Sequence, residues 1–161
     1  MIYPSNFEQR VGFDRIREAV MSRCTMESSR EVIRSEGFTR SRREVERRLT
    51  LADEMRLMIS MEAGAAIGEQ EDLQNIVDKV RVEGSYLTVE EAATLLRALK
   101  SAAEIVGFIL SRKERSYPAL KALSSGVTIF PELQCAIERV VDETGEVRSS
   151  ASPELHDIRR A

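Results

Sequence analysis

Apolar residues recur along this chain at three- and four-residue intervals, the spacing that places side chains on one face of an α-helix. The longest such run covers 88–113. Thr88 and Glu91 stand at the spacing of a capping box, and Ala92, Leu96, Leu99, Ala103, Val106 and Leu110 follow in a four-three repeat. Leu95, Ala102 and Ile109 widen that stripe until only Glu90, Thr94, Arg97, Ser101 and Glu104 stay polar. A helix this apolar must be covered by several neighbours, so it is predicted to lie at the centre of the fold. A two-stranded coiled-coil seam would be narrower.

The flanking segments read the same way. Ser5 and Glu8 predict a short first helix that Gly12 interrupts. Asp14 can cap a second, with Ile16, Val20 and Cys24 on one face, and a third runs from about 27 to 36, closed by Gly37. Ser41 and Glu44 form another capping box. Val45, Leu49, Ala52, Met55 and Ile59 then repeat inward, opposite Arg43, Arg47 and Glu54, until Gly64 and Gly68 break the pattern. Asp72 starts a helix with Leu73, Ile76, Val77 and Val80 inward and Gly84 at its end. Pro118 and Pro131 each open a short helix, as proline does at a first helical turn. The first is Ala119 to Ser124, closed by Gly126; the second is Glu132 to Asp142, with Leu133, Ile137, Val140 and Val141 inward. Thr144 and Gly145 make a turn. Ser152-Pro153-Glu154 is one more helix start, and Leu155 and Ile158 begin its stripe. That stripe stops at Ala161 without a cap, which reads either as a helix continuing in a longer protein or as a short frayed end. The pattern predicts an all-α, multi-helix bundle: a helical core over 1–150 with its buried centre near 88–113, and the start of a further helix over 151–161.

Composition narrows the class. The chain has 161 residues, 42% hydrophobic and 32% charged with few Gly and Pro, which excludes disordered and fibrous proteins. The net charge is −3, so no global basic field draws it to nucleic acid. The balance is uneven. Residues 1–60 hold 12 Lys+Arg against 10 Asp+Glu, and residues 61–161 hold 12 against 17. Most of the basic residues are Arg, which suits bidentate pairing; genomic base composition produces the same bias. Cys24 and Cys135 are too few and too far apart for a disulfide framework and read as small core hydrophobes. The start carries no signal-peptide pattern, and the longest apolar stretch, 102–110, contains Glu104 and is too short to span a bilayer. A cytoplasmic protein without membrane contact is expected.

Catalytic chemistry has little to stand on. His156 is the sole histidine and has no partner for a zinc site. There is no phosphate-cradling Gly-Lys-Ser/Thr loop, no Gly-x-Gly-x-x-Gly and no Gly-x-Ser-x-Gly. Glu69, Glu71 and Asp72 read as a solvated acidic face. No catalytic residue, metal ligand, cofactor or small-molecule substrate is expected within 1–161, and no enzyme activity. One cluster stands out: Arg40, Arg42, Arg43, Arg47 and Arg48 have the guanidinium density that phosphate contact needs. Glu44 and Glu46 interleave with them, arginine at a helix start opposes the helix dipole, and no aromatic residue is at hand for base stacking. A self-paired solvated face competes with nucleic-acid contact.

A set of short motifs, in order, then resembles one family. They are Tyr3-Pro4 with Phe7-Glu8; Gly12-Phe13-Asp14-Arg15-Ile16-Arg17 with Cys24; Arg81-Val82-Glu83-Gly84-Ser85-Tyr86-Leu87; Tyr117-Pro118-Ala119-Leu120; Phe130-Pro131-Glu132-Leu133; and Asp142 and Gly145 ahead of Ala151-Ser152-Pro153-Glu154-Leu155 and Ile158-Arg159. Together they are similar to the N-terminus of the second bacterial MutS family, MutS type two. The resemblance implies a fragment holding the helical core and the root of a lever helix near 152–161. It implies a longer, homodimeric parent with a clamp, an ATPase using ATP and Mg²⁺, and in many members an Smr nuclease domain. The family is associated with suppressing recombination on branched DNA and with rescuing collided ribosomes. None of the ATPase or nuclease motifs falls within 1–161. The matching positions imply scaffold roles: Tyr3, Phe7, Phe13, Ile16 and Leu155 as packing, Gly84 and Gly145 as turns. The alternative is a stand-alone helical module that binds another protein.

Overall fold

A computed structural model describes residues 6–62, 70–113, 115–142 and 144–160, with the backbone alone over 153–155. The readings placed on Tyr3, Pro4, Ser5, Gly64, Gly68, Glu69 and the Leu155 side chain lie outside the described residues. The chain is all-α. Among the described residues the helices are α1 (Phe7–Val11), α2 (Phe13–Met21), α3 (Glu27–Ser35), α4 (Arg42–Met61), α5 (Gln74–Val80), α6 (Val89–Ser111), α7 (Pro118–Ser124), α8 (Pro131–Glu138) and α9 (Pro153–Arg160). One isolated antiparallel bridge joins Val141 to Val147. Two compact units divide at Leu49/Thr50, inside α4.

In the first unit, α2 packs on both α1 and α3. Gly12 ends α1 and precedes α2 at φ 72°, a left-handed conformation that glycine adopts without a Cβ clash. The chain turns so tightly there that α2 starts at Phe13; Asp14, expected as a cap, is its second residue. Because α2 stops at Met21, Cys24 falls past its end, where its thiol donates to the Val20 carbonyl at 3.5 Å. Among the described residues of this unit none is buried.

The second unit has a core. Met58, Ile109 and Leu120 are buried together, with Leu51, Met55, Ile105, Phe108 and Tyr117 packed around them. Met58 and Leu96 are fully enclosed, worth roughly 1.5–3 kcal/mol each in transfer free energy. The inner line of α4 is therefore Leu51, Glu54, Met55 and Met58. Leu49 and Ile59, expected inward, are exposed, and so is Val45 on the first unit's part of α4. Glu54, expected on the solvated face, is 9% exposed. Its two carboxylate oxygens accept the backbone N–H groups of Ala119 (3.1 Å) and Leu120 (2.9 Å). These are orphan donors in the first turn of α7, which has Pro118 first and no cap of its own. A carboxylate from another helix supplies the cap, and the positive end of α7 favours its charge.

The central helix α6 carries the full capping box. Glu91 N–H donates to Thr88 Oγ1 at 3.2 Å, and Thr88 N–H donates to Glu91 Oε2 at 2.7 Å. Lys79 of α5 binds the same carboxylate at 2.6 Å. Salt bridge and caps together hold the Glu91 carboxyl below its ordinary range, Lys79 contributing most. Ala93, Leu96 and Ile109 are buried and most other α6 positions half-buried, while α7 and α8 pack against it. Gly107 and Leu110 face outward near its C-terminal end. Of α5's expected inward residues, Ile76 is buried and Val77 and Val80 are exposed; a two-turn helix meets its neighbours along one line only.

The helix from Pro131 ends at Glu138, four residues short of expectation. The chain leaves it to make a small loop: Arg148 N–H donates to Val140 O and Asp142 N–H to Glu146 O, which buries Val141 and exposes Val140. Asp142 Oδ1 accepts from Thr144 Oγ1, Thr144 N–H and Glu146 N–H, holding its carboxyl below the usual range. Gly145 at φ 85° closes this turn close to Ala93. Cys135, expected in the core, is exposed on α8, and Leu133 beside it is half open.

Candidate functional site

The arginine cluster lies at the start of α4, in the first unit. Ser41 Oγ accepts the N–H of Glu44 at 3.3 Å and so begins the helix as the sequence implies. Arg42 pairs with Glu46 at 2.7 Å, Arg47 with Glu44 at 2.8 Å, and Arg48 with Glu44 at 2.6 Å and also with Glu36. The Arg47 and Arg48 hydrogen bonds pull the Glu44 carboxyl down to about 2. Arg40 and Arg43 are exposed and make no side-chain bond among the described residues. Three of the five guanidinium groups are thus in local ion pairs and two are open to solvent. Pairs this exposed are screened by solvent and exchange readily.

A second feature of this unit escaped the sequence reading. Arg17 runs inward, its side chain 14% exposed, and its guanidinium joins three segments. Nη1 donates to the carbonyls of Ile33 and Glu36, both at 2.6 Å, and Nη2 to Glu8 Oε1 at 2.7 Å. Those carbonyls are the negative end of α3, where a cation is favoured. Beside Arg17 runs a groove of about 210 Å³, with Phe13, Ile16 and Val20 on one side and Val32, Ile33 and Phe38 on the other. Phe38 meets Phe7 at 6.0 Å and Phe13 at 6.1 Å between ring centroids. The expected packing role of Phe7, Phe13 and Ile16 is half met: the rings touch, but Ile16 is 58% and Val32 63% exposed. Periodicity marks such residues as apolar-faced; it cannot say whether a neighbour covers the face.

In the second unit, charged groups gather where α4, α6 and α7 meet. Glu62 accepts from Arg112 at 3.0 Å and from the Tyr117 hydroxyl at 3.3 Å, and Arg112 stacks 4.0 Å over Phe108. Lys121 donates to the last carbonyls of this turn, Arg112 O at 2.5 Å and Lys113 O at 2.9 Å. Burial, then the Glu62 charge, pushes the Tyr117 hydroxyl above its ordinary value. These bonds tie the ends of α4, α6 and α7 together. His156 is exposed on α9. Among the described residues no group of three His, Cys, Asp or Glu side chains converges as a metal would require. Nor is any described helix long and apolar enough to cross a membrane.

No protein-family model matches the chain. Individual relatives do. It is 29% identical over 151 residues to an Endonuclease MutS2 of Thermomicrobium roseum, covering 92% of this chain and 19% of the relative. It is 31% identical over 154 residues to an Endonuclease MutS2 of Symbiobacterium thermophilum, covering 92% and 18%. With the protein of the same name from Pelotomaculum thermopropionicum it shares 34% over 107 residues, 66% of this chain. The chain belongs to the MutS2 family. It spans less than a fifth of the length of these MutS2 relatives. The motifs that carried the resemblance sit at structural joints. Gly84 and Gly145 are left-handed turn residues, Pro118 and Pro131 start helices, and Phe13 and Tyr117 flank the Arg17 and Glu62 clusters.

Proposed function

We propose that this chain is the N-terminal helical scaffold of a MutS2-type protein, a body on which a clamp and an ATPase are mounted. The observation that carries the reading is the match to MutS2 relatives along nine-tenths of the chain but under a fifth of their length, as expected of one structural part of a larger machine. Coupling two distant sites needs an element that moves as one piece. The second unit has that character: α6 is packed by α7 and α8, and Glu54 and Glu62 tie α7 to α4 through hydrogen bonds. In this reading residues 1–150 are the core and α9 is the root of the lever helix. ATP and Mg²⁺, dimerisation, endonuclease activity and the grip on the client belong to the rest of the parent, in the cytoplasm. The client is branched DNA, in suppressing recombination, or a collided ribosome. Arg40, Arg42, Arg43, Arg47 and Arg48 serve as an auxiliary phosphate contact.

Reading the gene beyond the Ala161 codon tests this. A frame running on into an ATP-binding loop supports the scaffold; a frame without one sinks it. The second reading, a stand-alone module for a protein partner, is favoured by the uncovered apolar groove of the first unit, and the same frame ending at Ala161 would select it.

A further inference from the structure

We propose that Glu44 is an internal competitor for nucleic-acid phosphate: its carboxylate occupies the guanidinium edges of Arg47 and Arg48 and holds the arginine cluster in a weak-binding state until a phosphate displaces it. The inference rests on the phosphate contact proposed above and adds its regulation. The first observation is where the Glu44 carboxylate goes. Ser41 Oγ accepts the Glu44 N–H at 3.3 Å, but the return bond of a capping box is not made: the Ser41 N–H donates to Thr39 Oγ1 at 3.2 Å instead. At Thr88 and Glu91 both halves of the box are present. The Glu44 side chain is therefore not engaged at the helix start. It turns along α4, where Oε2 accepts from Arg47 Nε at 2.9 Å and Oε1 accepts from Arg47 Nη2 at 2.8 Å and Arg48 Nε at 2.6 Å.

The shape of that contact shows which ligand it imitates. A guanidinium that grips a carboxylate through two nitrogens presents the same edge that arginine offers to a phosphate. Glu36 takes a further edge of Arg48, through Nη1. Arg43 stands four residues before Arg47 on α4, one turn away, and its side chain makes no bond among the described residues. Released from Glu44, Arg47 joins Arg43 as a second open guanidinium on the same line of the helix. Residues 36–48 hold five arginines against three glutamates, Glu36, Glu44 and Glu46, so the cluster still attracts an anion while it is masked. The pairs are half exposed, and exposed pairs are weak enough for a phosphate to displace. The Glu44 carboxyl titrates at about 2, so the competitor stays charged through the neutral and mildly acidic range and gives way to ligand, not to acid.

The test titrates the 161-residue chain onto labelled branched DNA at low salt, read by fluorescence anisotropy. Glu44→Gln keeps the size of the side chain and the backbone cap on Ser41, so circular dichroism should stay unchanged. It is expected to tighten binding about two- to tenfold and to steepen the salt slope by about one to two, since each freed arginine adds a phosphate contact. Glu31→Gln removes the same charge from α3, where Glu31 pairs with Arg34, and is expected to change affinity by less than about twofold. In a background of Arg47→Gln with Arg48→Gln, the gain from Glu44→Gln is expected to vanish. A gain no larger than that of Glu31→Gln, or one that survives without Arg47 and Arg48, overturns the proposal. The contact itself is judged separately, by Arg40→Glu with Arg43→Glu. Where that double variant weakens binding and Glu44→Gln does not strengthen it, the contact stands and the competitor falls; where neither changes binding, both fall.

Discussion

A carboxylate oxygen of Glu54 lies 2.9 Å from the backbone nitrogen of Leu120, across 66 residues of sequence. With the second oxygen on Ala119, one buried side chain caps a helix that has no cap of its own. Glu54→Ala leaves two amides of α7 without an acceptor and should destabilise the second unit by about 1–3 kcal/mol. Glu54→Gln keeps one acceptor oxygen and should fall between. Urea unfolding measures both, and amide exchange at Ala119 and Leu120 should quicken even where the chain stays folded.

Leu96 is fully enclosed at the centre of α6. Leu96→Ala should lose about 2–5 kcal/mol, from lost burial and the cavity left behind. A loss under about 1 kcal/mol in denaturant melts would mean that α6 is not the central element.

Two glycines should respond in opposite directions. Gly107 sits inside α6 with nothing within 4 Å of an added Cβ, so Gly107→Ala should stabilise by roughly 0.5–1 kcal/mol through reduced backbone freedom. Gly145 has φ 85°, so Gly145→Ala should destabilise by about 1 kcal/mol although a Cβ would have room. Thermal melts of the two variants separate conformation from crowding.

Acid should weaken the helix starts in a defined window. The Glu44 carboxyl titrates near 2 in the fold against an ordinary 4.5, so the unfolded chain takes up its proton first. Its contribution is complete above about pH 4.5 and is lost as pH falls through about 2. Glu91, lowered by Lys79 and the Thr88 cap, acts in the same sense. Melting temperature should be flat from neutrality down to about pH 5 on account of these groups and then decline; Glu44→Gln should shallow that decline.

If the arginine cluster touches phosphate, its two open members should matter most. Arg40→Glu with Arg43→Glu should weaken binding of the chain to branched DNA at low salt and reduce the salt slope by about two. Arg42→Glu, whose partner Glu46 already neutralises it, should do less. Unchanged gel-shift affinity in the double variant would make the cluster a solvated face.

Local chemistry was well written in the sequence. The Thr88–Glu91 box, the proline starts at 118 and 131 and the glycine turn at 145 depend on a few neighbouring residues, and each stands where its residues imply; Gly84 is a left-handed turn, but α5 ends at Val80, four residues before it. The face of α4 was legible only in part: Met55, expected inward, packs on the core, but Leu51 and Met58 share its line in place of Val45, Leu49, Ala52 and Ile59. What decides between them is α7, which needs Glu54 inside. Likewise nothing in 131–142 announces that Val140 and Asp142 leave α8 to pair with a loop at 146–148. The arginines were visible as a cluster; which of them are paired depends on rotamers. The Arg17 clasp escaped because two of its three acceptors are carbonyls, which every residue has.

That clasp has a thermal consequence. A unit held by a guanidinium on helix-end carbonyls, with no enclosed side chain among its described residues, exposes little new apolar surface when it opens. Heat-capacity change scales with that surface. The first forty-nine residues should therefore melt over a broad range with a nearly flat dependence on temperature, while the oil-filled remainder melts sharply; a calorimetric trace of the chain should carry both signatures.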